Sequence, residues 1–453
     1  MGAIPGDLST DAQPPMTVPL RHFVVGLGFL LAGGGVGALL PFGLLPGQPT
    51  LAHVHLLLAG WVCITIMGAM TQFVPVWSGT TLHSRRLATV QLWLVTVGLV
   101  GFVGAFLGGL AGWLPVFGAV VLAGFWTFVY NVGRTLLPAR PWDVTERHFA
   151  VALGFFLLVT TFGLTLAVAA ARPLLGGLPV TYASLRAAHA TLAVFGAVLT
   201  TVLGALYQLA TMFTQSDLHG IDHWLRRVEE AAYPVGVVVL AAGRLFGLVA
   251  VGRLGGALVV AGLLAFSVVL VRRLYEARVP WTPMLSRYAV AAVAMAAWAL
   301  LALPGWLANP VAPGALFGSP ALVHLLVFGV IGFVVLGTLY HVVPFIVWVH
   351  QYSDQLGFGD VPMIDDLYDD RLATVDLVAL LVGSGTLVVS EWVALPAAVT
   401  AAGGAVAVVG FVVFAANVLL VIREHSPRSL GAILLPALAD REPAADARRD
   451  LHE

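Results

Sequence analysis

The sequence predicts an all-α polytopic membrane protein of twelve transmembrane helices in three pseudo-symmetric four-helix units. Three observations carry that expectation. The first is composition: 59% of the residues are hydrophobic and 10% charged, with a mean hydropathy of +0.95, as in multi-pass membrane proteins. The second is a series of apolar runs, each long enough to cross a bilayer. The third is a helix-length motif that occurs three times, with anchor glycines Gly60, Gly196 and Gly329 lying 136 and 133 residues apart. A repeat at so long a period marks a repeated structural unit.

In chain order, residues 1–20 are polar and contain proline, with no short apolar core before a cleavage site, so no cleaved signal peptide is expected. Residues 1–21 read as a cytoplasmic segment, 22–421 as the membrane domain and 422–453 as a cytoplasmic tail. Spans are placed near 22–44, 52–77, 87–109, 113–136, 149–171, 184–212, 231–251, 254–272, 287–307, 320–349, 373–391 and 395–421. The motif falls on spans two, six and ten, which gives units of four.

All the basic residues are arginines, and we have no physical account of the missing lysine. Arg21, Arg85, Arg86, Arg134, Arg140, Arg147, Arg226, Arg227, Arg272, Arg273, Arg278, Arg287, Arg371 and the tail arginines from Arg423 fall on one side of the spans. Only Arg172, Arg186, Arg244 and Arg253 fall on the other. The positive-inside rule then puts both termini in the cytoplasm, in a plasma membrane, and the motif helices run from outside to inside. Cys63, the single cysteine, excludes an intrachain disulfide and a thiolate zinc site; it reads as a small buried apolar residue. Nothing in the charge suggests a nucleic-acid partner; the bilayer is the partner that composition implies.

The motif is clearest over Ala52–Gly79, AHVHLLLAGWVCITIMGAMTQFVPVWSG, which opens on His53 and His55. A polar group at membrane depth usually lines a cavity or holds a ligand. Residues two apart on a regular helix point roughly 200° away from each other, so these two imidazoles serve two sites, one on each side. His53 lies seven residues before Gly60 and His55 five before. His189 stands seven before Gly196, in the phase of His53, and His324 stands five before Gly329, in the phase of His55. A glycine follows each anchor by eight residues: Gly68, Gly204 and Gly337. Twelve residues after the anchors come Gln72, Gln208 and His341. Close packing alone would explain recurring glycines, but not four histidines in two registers.

Elsewhere the polar residues read as surface. The stretch QSDLHGIDHWLRRVEE, with His219, Asp222 and His223, is loosely metal-like but is expected as a solvated loop. Asp365, Asp366, Asp369 and Asp370 are expected on a wet or docking surface, His83, His341 and His350 at the interface, and the tail after Arg423 as poorly ordered. No Asp or Glu is expected in the middle of a span.

The Ala52–Gly79 segment resembles the tenth helix of haem-copper oxidase subunit I, where an A-H-x-H start, spaced glycines, a late proline and Ser-Gly carry two haem ligands. That subunit is also a bundle of twelve helices in three arcs. The resemblance implies that His53 matches the ligand of the high-spin haem and His55 that of the low-spin haem. The match falls here on span two, no adjacent His-His pair is present for the oxidase copper, and residue 193, four after His189, is alanine. The resemblance therefore implies a haem-binding membrane protein in electron transfer or in binding or reduction of a small gas, oxygen or nitric oxide. A complete copper site and a proton pump are not implied.

In a threefold ring the face seven before one anchor looks at the face five before its neighbour's. His55 is then expected to meet His189, and His53 to meet His324, as opposite-phase pairs of axial ligands. The expected cofactors are one or two b-type haems, with copper the alternative at the His53/His324 site. Arg186 is the first candidate cation for haem propionates and Arg244, placed half-way along span seven, the second; snorkelling would equally account for either. A redox partner protein or quinol would donate electrons. Two further readings stay open: a solute or metal transporter with a histidine-lined outer vestibule, and a non-redox accessory subunit.

Overall fold

The computed structural model describes residues 13–356 and 360–435, and no strand occurs among them. Twelve long helices follow in order: α1 (Thr17–Leu39), α2 (Pro49–Ser78), α3 (Arg85–Leu107), α4 (Leu114–Leu136), α5 (Val144–Ala171), α6 (Tyr182–Thr214), α7 (Ile221–Phe246), α8 (Val249–Tyr275), α9 (Pro283–Ala308), α10 (Leu325–Gln351), α11 (Asp370–Trp392) and α12 (Ala397–His425). A short α13 (Leu430–Leu434) ends the described chain. Five of the long helices start on a side chain that accepts from free backbone N–H groups. Ser84 caps α3, Asp143 with Glu146 forms a capping box on α5, and Thr181 with Ser184 does the same on α6.

Among the described residues eleven helices, not twelve, are long and apolar enough to cross a membrane. The exception is α7, whose first ten residues include Asp222, Arg226, Arg227, Glu229 and Glu230. It begins at Ile221, ten residues before the apolar run that marks it in the sequence. Of the segment expected as a solvated loop, residues 221–230 are therefore the first turns of this helix, residues 215–220 remain a loop, and part of it is buried. Asp222 is fully buried and accepts from Arg272 Nε at 2.6 Å and Arg273 Nη2 at 2.8 Å. His219 pairs with Glu276 at 2.7 Å; with Arg273 it holds the Glu276 carboxyl below the usual carboxylate range.

Helix α1 begins before residue 22 and α12 runs past residue 421, to His425. Residue 21 lies inside α1, and the tail is ordered as far as it is described. Arg21 donates from Nε to the carbonyl of Ile433 at 2.5 Å, and Ile433 is fully buried. Residues 1–12 and 436–453 lie outside the described residues. Of the acidic stretch, Asp369 caps α11 through the N–H groups of Arg371 and Leu372, and Asp365, Asp366 and Asp370 are exposed.

The tripled motif has a backbone counterpart. In α2, α6 and α10 the helix widens to π-helix over Leu56–Val62, Leu192–Leu199 and Leu325–Gly332. Each stretch starts four residues before its anchor glycine. Such stretches are rare and frequently sit at functional sites.

The glycines explain why these helices can lie so close to their neighbours. A Cβ on Gly60 would stand 2.6 Å from Phe29, on Gly196 2.9 Å from Phe155, and on Gly329 2.9 Å from Ala294. One on Gly68 would stand 2.7 Å from His22 Cβ, on Gly204 2.5 Å from His148 Cβ, and on Gly337 3.0 Å from Arg287 Cβ. Each pair of glycines thus receives two residues seven apart on the preceding helix. Cys63 is buried and free, as expected.

Helix contacts recur at a step of four. The pairs α1–α2, α5–α6 and α9–α10 pack, as do α2–α4, α6–α8 and α10–α12. So do α4–α5, α8–α9 and α12–α1, the last of which returns the chain to its start.

Candidate functional site

The histidines sit where α2, α6 and α10 begin. His55 on α2 and His189 on α6 line one cavity of about 400 Å³ bounded by α2 to α6 and close to purely apolar. Phe102 and Phe106 of α3 each lie 5.3 Å from the His55 ring, centroid to centroid. Arg186, one turn before His189, is exposed and lines the same cavity.

Both rings have their tautomer fixed. His55 Nδ1 is 2.8 Å from the carbonyl oxygen of Leu51, and His189 Nδ1 is 3.0 Å from that of Val159 on α5. A carbonyl can only accept, so Nδ1 carries the hydrogen and Nε2 keeps its lone pair. Neither Nε2 has a hydrogen-bond partner among the described residues. This is the arrangement of a metal-ligating histidine, whose far nitrogen is oriented by a hydrogen bond from the near one.

His53 Nδ1 donates to the carbonyl of Gly33 on α1 at 2.8 Å, as His189 does to Val159 on α5. Its ring needs a glycine in both copies: a Cβ on Gly37 would stand 2.5 Å from His53 Cε1, and one on Gly163 3.1 Å from His189 Cε1. His324 differs. Its Nδ1 lies 2.6 Å from Glu391 Oε1 of α11. His55 and His189, expected as one pair, thus line the same cavity, while His53 and His324 are each anchored through Nδ1, to Gly33 and to Glu391.

The third equivalent interface, between α6 and α10, has Thr191 and Leu322 in the two histidine registers, and it is closed. Arg244 donates to Thr191 Oγ1 at 2.7 Å, Pro310 O at 3.1 Å and Ala315 O at 3.0 Å, and it lies over the Trp306 ring. Phe195, Trp298, Trp306 and Phe317 fill the space around it. Arg244 is therefore not a free cation half-way along a span. It belongs to the last turn of α7, and its guanidinium is spent on three acceptors, because a charge buried at that depth must be paired or hydrogen-bonded.

One helix position faces all three interfaces. Phe106 on α3 touches His55, Arg244 on α7 holds Thr191, and Glu391 on α11 holds His324. Each lies fifteen residues after a fully buried polar residue of the same helix: Gln91 to Phe106, Glu229 to Arg244, Asp376 to Glu391.

Those buried residues form a second layer near the other end of the bundle. Glu229 accepts from His148 Nε2 at 3.0 Å and from Tyr207 at 3.0 Å. Asp376 accepts from Arg287 and from Tyr340. Where sequence reading expected no acid in the middle of a span, two carboxylates lie fully buried within helices, close to one end. In the first repeat the corresponding residues are His22 and Gln91, which with Gln72 carry buried polar atoms lacking protein partners.

Sequence reading missed Glu391, Glu229 and Asp376. The signal was present as a fifteen-residue spacing on the helix that follows each motif, but hydropathy reads such residues as helix ends. His341 packs on Phe213 with ring centroids 3.9 Å apart, and His83 and His350 are exposed. Among the described residues no three of His, Cys, Asp or Glu converge as a metal-ion site. Comparison with protein-family models and with curated proteins gives no match to this chain.

Proposed function

We propose that this chain is a haem-binding membrane protein, built as three four-helix units that span the bilayer twelve times and similar in plan to haem-copper oxidase subunit I. His55 and His189 would hold one b-type haem from opposite faces. His53 and His324 would hold the second cofactor, a haem in preference to copper, since that site is offered only two imidazoles. The observation that carries this reading is His55 and His189 on one apolar cavity, each with Nδ1 committed to a carbonyl and Nε2 left free.

The residues fit a flat, largely apolar macrocycle with anionic edge groups. Phe102 and Phe106 supply the wall, and Arg186 at the cavity supplies the cation. Bound haem would supply a one-electron couple, whose potential depends on axial ligands, hydrogen bonding and burial. The chain's own part is to orient four imidazoles at one depth and to keep water from them. This suits electron transfer, with a redox protein or quinol as donor; reaction of a small gas such as oxygen or nitric oxide at the His53/His324 site would require only one of its two imidazoles to hold the iron. The apolar cavity lining disfavours a vestibule for polar solutes or metal ions.

The arginine bias supports cytoplasmic termini in a plasma membrane, with the histidines toward the outer face. The reading is tested by the haem and iron content of detergent-purified protein from haem-replete cells. One or two haems per chain are expected; protein free of both contradicts it.

A further inference from the structure

Three of the four histidines give their Nδ1 hydrogen to a neutral backbone carbonyl: His53 to Gly33, His55 to Leu51, His189 to Val159. The fourth, His324, gives it to a carboxylate at 2.6 Å. Glu391 is largely buried, with a side chain 15% exposed. Its second oxygen, Oε2, is buried and has no hydrogen-bond partner among the described residues. The carboxylate is thus directed wholly at the imidazole.

The fold does not require an acid there. At the same place Phe106 faces His55 and Arg244 faces Thr191. One helix position therefore gives three equivalent interfaces an apolar, a cationic and an anionic neighbour. An anionic acceptor on the far nitrogen makes an imidazole a stronger donor. A stronger donor, with a negative charge close by in a poorly screened region, favours the more positive oxidation state of a bound metal.

We propose that Glu391 is a positioning residue that sets the two histidine pairs apart in reduction potential, making the His53/His324 site the harder to reduce. This rests on the proposed haem function. In that frame Phe106 leaves the His55/His189 site at the potential its neutral surroundings give it.

The test is a potentiometric titration of the purified protein, followed optically, for wild type, Glu391→Gln, Glu391→Asp and Phe106→Glu. Glu391→Gln keeps an acceptor and removes the charge. It is expected to raise the reduced-to-oxidised ratio of one component at fixed potential by about tenfold, equivalent to 59 mV for a one-electron couple. The component that depends on His189 stays unchanged, and Glu391→Asp stays near wild type. Phe106→Glu is expected to lower the other component by a similar factor, and it carries the test if Glu391→Gln does not accumulate. Haem-loaded variants with both potentials unmoved overturn the inference, as does a Glu391→Gln shift confined to the His189-dependent component. A wild-type protein without haem overturns instead the function on which the inference rests.

Discussion

His189 on α6 reaches across to α5 and donates its Nδ1 hydrogen to the carbonyl of Val159 at 3.0 Å, and His53 on α2 does the same to Gly33 on α1 at 2.8 Å. The acceptors lie 126 residues apart and the donors 136. One side-chain-to-backbone contact is thus built twice, each time beside a glycine that makes room for the ring. A polar ring held so specifically in an apolar bundle limits its own motion and leaves one nitrogen free.

The glycine beside each ring gives a first prediction. Gly37→Ala would put a methyl 2.5 Å from His53 Cε1, whereas Gly35→Ala would meet nothing within 4 Å. Gly37→Ala is expected to displace His53 and alter one spectral component, at a packing cost of about 1–3 kcal/mol. Gly35→Ala is expected to leave the spectrum intact and to stabilise the helix slightly. Absorption spectra and thermal unfolding of the two variants decide this; identical behaviour would count against it.

The buried pair of Arg287 and Asp376 gives a second. Asp376→Ala leaves the Arg287 guanidinium, which is fully buried, without its counter-charge. Breaking a buried pair in this way typically costs about 3–5 kcal/mol. A large drop in unfolding temperature is expected, with a smaller one for Tyr340→Phe, which removes two hydrogen bonds, one to Asp376 and one from Asn417, and no charge. Equal effects would mean that the pair is not the stabilising feature.

Arg244 gives a third. Its three acceptors join α7, α6 and the connection between α9 and α10. Arg244→Gln is expected to destabilise the fold by about 1.5–3 kcal/mol, the scale of hydrogen bonds to a charged group, and to loosen residues 309–322. It is not expected to change any cofactor spectrum. Hydrogen exchange over that segment, with a spectrum alongside, checks both parts. A spectral change without loosening would place Arg244 at a cofactor after all.

Much of this arrangement is legible in the sequence. The two histidine registers, read with helical geometry and a ring of three, lead to the expectation that His55 shares a site with His189, and the two do line one cavity. The recurring glycines announce close contact, although which residues enter them requires the neighbouring helices. Charged residues are where the sequence misleads. Hydropathy averages around the helix, so Asp222 and Glu229 look like a wet loop when each is buried against a partner from another helix. Arg244 looks free for the same reason: its acceptors are backbone carbonyls, which leave no trace in composition. The π-helical stretches around Gly60, Gly196 and Gly329 are equally hidden, since hydropathy does not distinguish π-helix from α-helix.

The most direct test of the central claim is the absorption spectrum of purified protein, oxidised and then reduced, for wild type, His55→Ala and His189→Ala. The account expects a Soret band and a low-spin bis-histidine signal in the wild type, with that same signal lost from both variants. Wild-type protein from haem-replete cells with no Soret band, or two variants that lose different components, would contradict it.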